Sequence, residues 1–420
     1  MQRSRSQRLP VRLYNAARRA WDAARGGAPR FEPERLLDDA RRATGLDDFG
    51  AGGGAWREGL DVLCRAYDTE SRLNPFGRFM VGGMLSGILQ GRLRMARAFR
   101  DDPALGDAPV ERPIFILGLP RTGTTALHFL MAQDPGRQVL EYWLAAAPGP
   151  RPPRDTWASD PRFEAAAQGL RLTYWLDPGL RAIHDLTPEG PEECRHLFLP
   201  SFVDHTFDAN ANIPSYTAWF DAQDMRPAYA LHRDALRWIG STSPGRPWVL
   251  KYPAHMRNLD ALLAVYPDAR FVMTHRDPAE VIPSVCSLVT GWRGIHEDVL
   301  DFEAVGRWQL ELYASWVENA MRVRERLGEE RFCDLHFHEL VKDPIAAMGR
   351  LYDRFGLPLS EAAEAGMADW YREHPQGRHG GHRYRAEDYG LSEQAILDRF
   401  SRYTRAFDVG TEGPGPHGSG

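Results

Sequence analysis

Lysine is almost missing from this 420-residue chain: 52 residues are basic, and only Lys251 and Lys342 are lysines. The other 50, by subtraction, are arginines. Against such a bias a surviving lysine is a candidate for a place where a guanidinium will not serve, because the two cations differ in shape and hydration; Lys342 reads as a surface charge. Cysteine is also scarce. Cys64, Cys194, Cys286 and Cys333 form no Cys-x-x-Cys pair, and their spacing fits neither a zinc site nor a disulfide framework. They read as buried, reduced thiols of a cytoplasmic protein. No apolar run reaches the ~18 residues needed to span a bilayer; the richest, residues 79–89, is broken by Gly82, Gly83 and Gly87. A global basic excess is lacking too, since 57 acidic residues leave a net charge of −5. That speaks against a nucleic-acid binder. Internal repeats are absent. A hydrophobic share of 43% and a charged share of 26% exclude a wholly disordered chain and a coiled coil.

What is present changes character along the chain. Residues 3–25 are rich in arginine, with Asp22 the only acid, and lack the apolar core of a signal peptide. They read as a solvated, partly helical extension, with a membrane-surface helix as the alternative. Residues 1–108 as a whole read as helical, over 31–44, 56–66 and 75–98, with Gly45 as a stop. Their expected role is a cover or a dimer surface, so a homo-oligomer is a possible partner state. From Pro109 the texture is α/β. Short apolar runs at 112–118, 247–251, 269–274 and 331–337 alternate with helical stretches, notably 255–265 and 302–327. Continuous apolar strands between helices predict a parallel sheet covered on both faces. The expected architecture is therefore a P-loop-like α/β domain over 109–410 with a helical N-terminal cap and a disordered tail at 411–420.

Two segments carry anion chemistry. Gly118-Leu-Pro-Arg-Thr-Gly123-Thr124-Thr125 follows a predicted strand and opens a predicted helix. Its Gly-x4-Gly spacing lets backbone N–H groups turn inward at the positive end of a helix, while Thr124 and Thr125 add hydroxyls. A nucleotide triphosphatase has lysine after the second glycine. Here that position is Thr124, and the cation is Arg121. His275-Arg276-Asp277-Pro278 ends another predicted strand. Asp277 reads as an N-cap, Pro278 as the first helical residue and Glu280 as the far side of a capping box. Ser284, eight residues after Arg276, falls where both can meet one anion. Pro283 lies inside that helix and removes an N–H from it.

Together these segments resemble the sulfotransferases that use 3′-phosphoadenosine 5′-phosphosulfate (PAPS), over residues 110–405. The resemblance implies that Arg121, Thr122, Gly123, Thr124 and Thr125 hold the 5′-phosphosulfate, with Arg121 where cytosolic members carry lysine. It implies that Arg276 and Ser284 hold the 3′-phosphate. Residues 337–344 and 355–358 are similar to a recurrent stretch of the family. The helical front and the segment 382–390 resemble a bacterial branch. Near the C-terminus, Arg378, His379 and Arg383 are candidates to close over the 3′-phosphate, with a solvated basic loop as the alternative.

The implied reaction moves a sulfuryl group from PAPS to a hydroxyl of a small, apolar or aromatic acceptor. It needs a base and a cation for the leaving phosphate, and by this logic no metal. Lys251-Tyr-Pro-Ala-His255 resembles the Lys-x-His segment of cytosolic members, with the histidine two residues later, so Lys251 is the expected cation. Three bases stay open: His255, Glu141 (20 residues after Arg121) and His184, which precedes Pro191-Glu-Glu-Cys194. Between Glu141 and Pro227 lie Trp143, Trp157, Tyr174, Trp175, Phe198, Phe202, Phe207, Tyr216, Trp219 and Phe220, most of them expected in the core. Two other readings remain, a P-loop kinase-like phosphotransferase and a non-catalytic nucleotide-binding scaffold.

Overall fold

In the computed structural model, residues 2–3, 8–50, 54–183, 185–374 and 384–410 are described. Four helices come first: α1 Leu9–Ala24, α2 Pro33–Thr44, α3 Ala55–Thr69 and α4 Pro75–Asp101. Gly45 ends α2 in the left-handed conformation, φ 67°, a backbone state that glycine adopts without a Cβ penalty. The α/β part holds five strands: β1 Ile114–Gly118, β2 Gln138–Val139, β3 Trp248–Lys251, β4 Arg270–His275 and β5 Phe332–His336. Its main helices are α5 Thr124–Met131, α6 Pro161–Leu176, α7 Arg226–Gly240, α8 Pro278–His296, α9 Phe302–Leu327, α10 Pro344–Arg354 and α11 Glu361–Glu373.

The strands form one parallel sheet in the order β2-β3-β1-β4-β5. All four strands read from the apolar runs are present; the two-residue edge strand β2 gave no pattern to read. Alternation explains why the runs are continuous. Phe115 and Leu117 of β1 join one core, while Ile114 and Ile116 join another on the opposite face. Both sides of the strand are therefore buried, as a helix-covered parallel sheet requires. Helices α5, α10 and α11 close the second face through Leu127, Met348 and Met367.

The front helices are not packed as a separate body. Leu37, Leu60, Leu63 and Leu89 belong to the same core as Phe115 and Leu117. Tyr67 of α3 donates to the carbonyl of Phe207 at 2.9 Å. Gly77 of α4 lies so close to residue 296 that a Cβ would sit 2.3 Å from the His296 carbonyl oxygen. The change of texture near residue 108 is thus a change of secondary structure within one continuous core.

Three local expectations meet their outcome here. Asp277 caps α8, accepting from the Ala279 N–H at 2.8 Å. The capping box, by contrast, does not form, because Glu280 turns to Arg276 instead. Pro283 does not interrupt α8, which runs unbroken through it, so Ser284 keeps its place on the helix. All four cysteines are buried and free of disulfides. Among the described residues, no helix is long and apolar enough to cross a membrane. The expected tail, 411–420, lies outside the described residues.

Candidate active site

In an open parallel sheet the loops after the strands gather at the C-terminal edge, where ligands bind at the point of changing strand order. β1 lies between β3 and β4, so Gly118, Lys251 and His275 all end at that edge. The loop after β1 is tightly built. Gly118 has φ 133°, and a Cβ there would lie 2.3 Å from the Thr274 hydroxyl. Gly123 has φ 91° at the N-cap of α5. Arg121 is left-handed at φ 70°, a conformation costly for a residue with a side chain. Thr122 donates to the Leu119 carbonyl at 2.6 Å and shares a 2.5 Å hydrogen bond with the Thr274 hydroxyl. Its hydroxyl therefore staples the loop to β4 and leaves only its backbone N–H for a ligand. Thr124 and Thr125 begin α5.

Arg276 joins the second anion segment to the first. Its guanidinium donates to the Arg121 carbonyl at 2.9 Å, pairs with Glu280 at 2.5 Å, and lies over the Phe337 ring with 4.0 Å to the centroid. Burial and the neighbouring Arg276 cation lower the Arg121 guanidinium below its ordinary range, against a raising contribution from Tyr384. Two cations are thus held side by side, an arrangement that favours a bound anion. Ser284 is buried on α8; among the described residues, it makes no side-chain hydrogen bond.

Lys251 ends β3 almost fully buried, and its ammonium binds the Glu193 carboxylate at 2.7 Å. Glu193 reaches this place because its segment is threaded along the strand ends: Glu192 N–H donates to the Leu140 carbonyl at 2.7 Å, and Cys194 N–H to the Lys251 carbonyl at 3.0 Å. Next to Lys251, the Tyr252 hydroxyl donates to Asp204 at 3.1 Å and lies 2.9 Å from His205 Nδ1. Burial raises Asp204 to about 6 and lowers His205 to about 3.

The three candidate bases fare differently. His255 is completely buried in an aromatic box. Its Nδ1 lies 2.9 Å from the Tyr229 hydroxyl, and its ring packs on Phe115 and Phe198 at 4.9 and 5.9 Å. Burial, and then neighbouring His232, lower its pKa well below the usual imidazole range. Glu141 is buried and held by the Arg151 guanidinium through two hydrogen bonds, at 2.9 and 3.1 Å. Arg151 is anchored further on Gln138 and the Val139 carbonyl. His184 lies outside the described residues, as do Arg378, His379 and Arg383.

Most of the aromatic insert is core: Trp143, Phe198, Phe202, Phe207 and Tyr216 are almost wholly buried, whereas Trp175 faces solvent. Sequence reasoning missed Glu193 and Thr274. Glu193 had a weak signal, its place in the quoted Pro191-Glu-Glu-Cys194 stretch. Thr274 had none, because its role depends on a residue 152 positions away.

Comparison with known proteins points one way. A model described as "Sulfotransferase family" matches residues 113–361. The chain is 27% identical over 343 residues to omega-hydroxy-beta-dihydromenaquinone-9 sulfotransferase Stf3 of Mycobacterium tuberculosis, covering 75% of this chain and 77% of that one. It is similar to the solved sulfotransferase STF1 of Mycobacterium tuberculosis H37Rv, with 35% identity, a TM-score of 0.79, and coverage of 88% of this chain and 98% of that one. For STF9 of Mycobacterium avium the values are 34% identity, a TM-score of 0.82, and coverage of 91% and 98%.

Proposed function

The chain belongs to the sulfotransferase family and is an enzyme, and from that premise we propose that it transfers a sulfuryl group from PAPS to a hydroxyl of a small apolar or aromatic molecule. The kinase-like and scaffold readings fall with the family membership. The observation that carries the PAPS reading is the hydrogen bond from Arg276 to the Arg121 carbonyl. It joins a loop suited to a phosphosulfate to a cation suited to a second phosphate. A donor with anions at both ends of a nucleoside fits such a pair.

The cradle suits the group. Gly118 cannot bear a Cβ beside Thr274, so the loop is held tightly against β4 in the shape that turns its N–H groups toward the start of α5. Arg121, Thr122, Gly123, Thr124 and Thr125 would hold the 5′-phosphosulfate through backbone N–H groups, hydroxyls and the guanidinium. Arg276 and Ser284 would hold the 3′-phosphate, with Glu280 giving up Arg276 to it, and Arg383 is proposed to close over it. PAPS supplies the sulfuryl group. Lys251 places a compact ammonium beside the leaving phosphate, and Glu193 fixes its direction.

The proton is assigned to Glu193, with His184 as the second choice. The burial of His255 among rings and the two hydrogen bonds that Arg151 donates to Glu141 weigh against those two. The named acceptor of the Mycobacterium tuberculosis relative, a hydroxylated dihydromenaquinone, is an apolar alcohol of the proposed kind. The test is transfer of labelled sulfate from PAPS to a panel of phenols and apolar alcohols. Wild type should sulfate at least one of them, and Arg121→Ala and Arg276→Ala should not. Failure of 3′,5′-adenosine bisphosphate to bind, or binding unchanged in both variants, would overturn the donor reading.

A further inference from the structure

Helix α1 is inside out. At 100° per residue, Leu9, Leu13, Tyr14, Ala16, Ala17, Ala20, Trp21 and Ala24 fall on one half of its circumference, and all of them are exposed. Leu9, Leu13 and Trp21 are 64%, 61% and 55% exposed. The inward side is mainly polar: its buried residues are Val11, Asn15 and Asp22. Asn15 accepts from the Phe76 N–H at 2.8 Å, Asp22 accepts from Arg18 at 2.9 Å, and Arg19 pairs with Asp298. A helix of a globular protein ordinarily turns its apolar stripe to the core. Here Asn15 and Arg19 tie the polar stripe to the body while Arg18 and Asp22 pair within the helix, and the larger apolar stripe is left outside.

The apolar face continues beyond α1. Phe79 of α4, 63% exposed, lies 6.3 Å from the Tyr14 ring. Charge surrounds it. Arg25 sits 4.2 Å over the Trp21 ring, and Arg8 5.2 Å over the ring of exposed Trp175 on α6. Residues 1–25 contain seven arginines (3, 5, 8, 12, 18, 19 and 25) and one acid, Asp22, so 7 − 1 = +6 in a chain whose net charge is −5.

We propose that this face is a docking surface for an anionic lipid bilayer. Leucine and aromatic side chains would enter the interfacial layer, with the flanking arginines on lipid phosphates, while the polar stripe keeps the helix on the body. A second copy is the weaker occupant. A two-fold contact through this face would bring the exposed Arg8, Arg12 and Arg25 of two copies together. The test reads vesicle binding and needs no turnover.

The test is flotation of the full chain with vesicles of phosphatidylcholine containing one-third phosphatidylglycerol, against phosphatidylcholine alone, at low and high salt. Wild type should float with the anionic vesicles, and high salt should release it. Leu13→Asp/Trp21→Asp, at exposed positions, should leave the thermal midpoint unchanged and lower partitioning by tenfold or more. Arg12→Glu/Arg25→Glu should lower it by roughly fivefold or more per arginine, since each is worth about 1 kcal/mol at an anionic surface. Equal partitioning of wild type and both double variants would overturn the proposal. So would a dimer in light scattering that Leu13→Asp/Trp21→Asp dissociates, with no vesicle binding by wild type.

Discussion

Lys251 and His255 stand four residues apart, yet they occupy opposite kinds of surroundings. Lys251 is buried at the open edge of the sheet, with one carboxylate on its ammonium. His255 is buried beneath that edge, walled by Phe115, Phe198 and Tyr229. Low exposure is common to both and separates nothing. What differs is the partner. A charge kept at a strand end by a single carboxylate can be redirected to an incoming anion, whereas a neutral imidazole fixed among rings has no room to gain a proton.

The largest expected effect falls on the first corner. Lys251→Arg should fold with an unchanged thermal midpoint and lose about 10²–10³-fold in kcat, the range for removing one oriented donor. Normal turnover would erase the contrast and make the lysine an accident of composition. Glu193→Gln should lower kcat by about a hundredfold, the low end for a general base, and leave binding of 3′,5′-adenosine bisphosphate intact. If His184→Ala shows that loss instead, the proton belongs to His184.

The second corner should answer in stability. His255→Phe strands the Tyr229 hydroxyl and should cost about 1–3 kcal/mol in denaturant unfolding, with kcat within a few-fold of wild type. Loss of turnover at unchanged stability would restore His255 as the base and break the comparison.

The smallest effect is on pH dependence. His128, His205 and His232 are lowered to about 3 and His296 to about 4, each chiefly by burial. Their folded pKa values lie below the unfolded value of 6.5. Their contribution is therefore present above pH 6.5 and is lost as the pH falls toward 4. Asp204 and Asp208, raised by burial to about 6 and 7, act in the opposite sense. Their contribution is full below the unfolded value of 3.8 and lost as the pH rises through 6 to 7. Four histidines against two aspartates leave a net fall on acidification, so the unfolding midpoint should drop between pH 6.5 and 4.5. Asp208→Asn removes one opponent and should steepen that drop.

What the chain revealed before folding follows the reach of each interaction. The strands of residues 114–118 and 270–275 were legible because burial on both faces writes a continuous apolar run. The loop of residues 118–125 and the Asp277 cap were legible because their donors and acceptors lie within a few residues of each other. The Thr122–Thr274 staple and the Lys251–Glu193 pair, 152 and 58 residues apart, were not, since both depend on strand order. For Glu141 the distance from Arg121 was visible, but the guanidinium of Arg151 that holds it was not. For α1 only an arginine-rich, partly helical extension was legible; which stripe would face the body depended on Phe76 and Asp298.

The shared core of the front helices sets an order on synthesis. Helices α3 and α4 leave the ribosome well before the segments that cover them. Tyr67 must wait 140 residues for Phe207, and Asn74 waits 221 for Ile295. During that interval Leu60, Leu63, Leu85 and Leu89 have no sheet to lie against, the kind of exposed apolar surface that chaperones bind. Contacts of such long sequence separation also make for slow closure. The nascent first hundred residues are thus the stretch most in need of protection while the chain is being made.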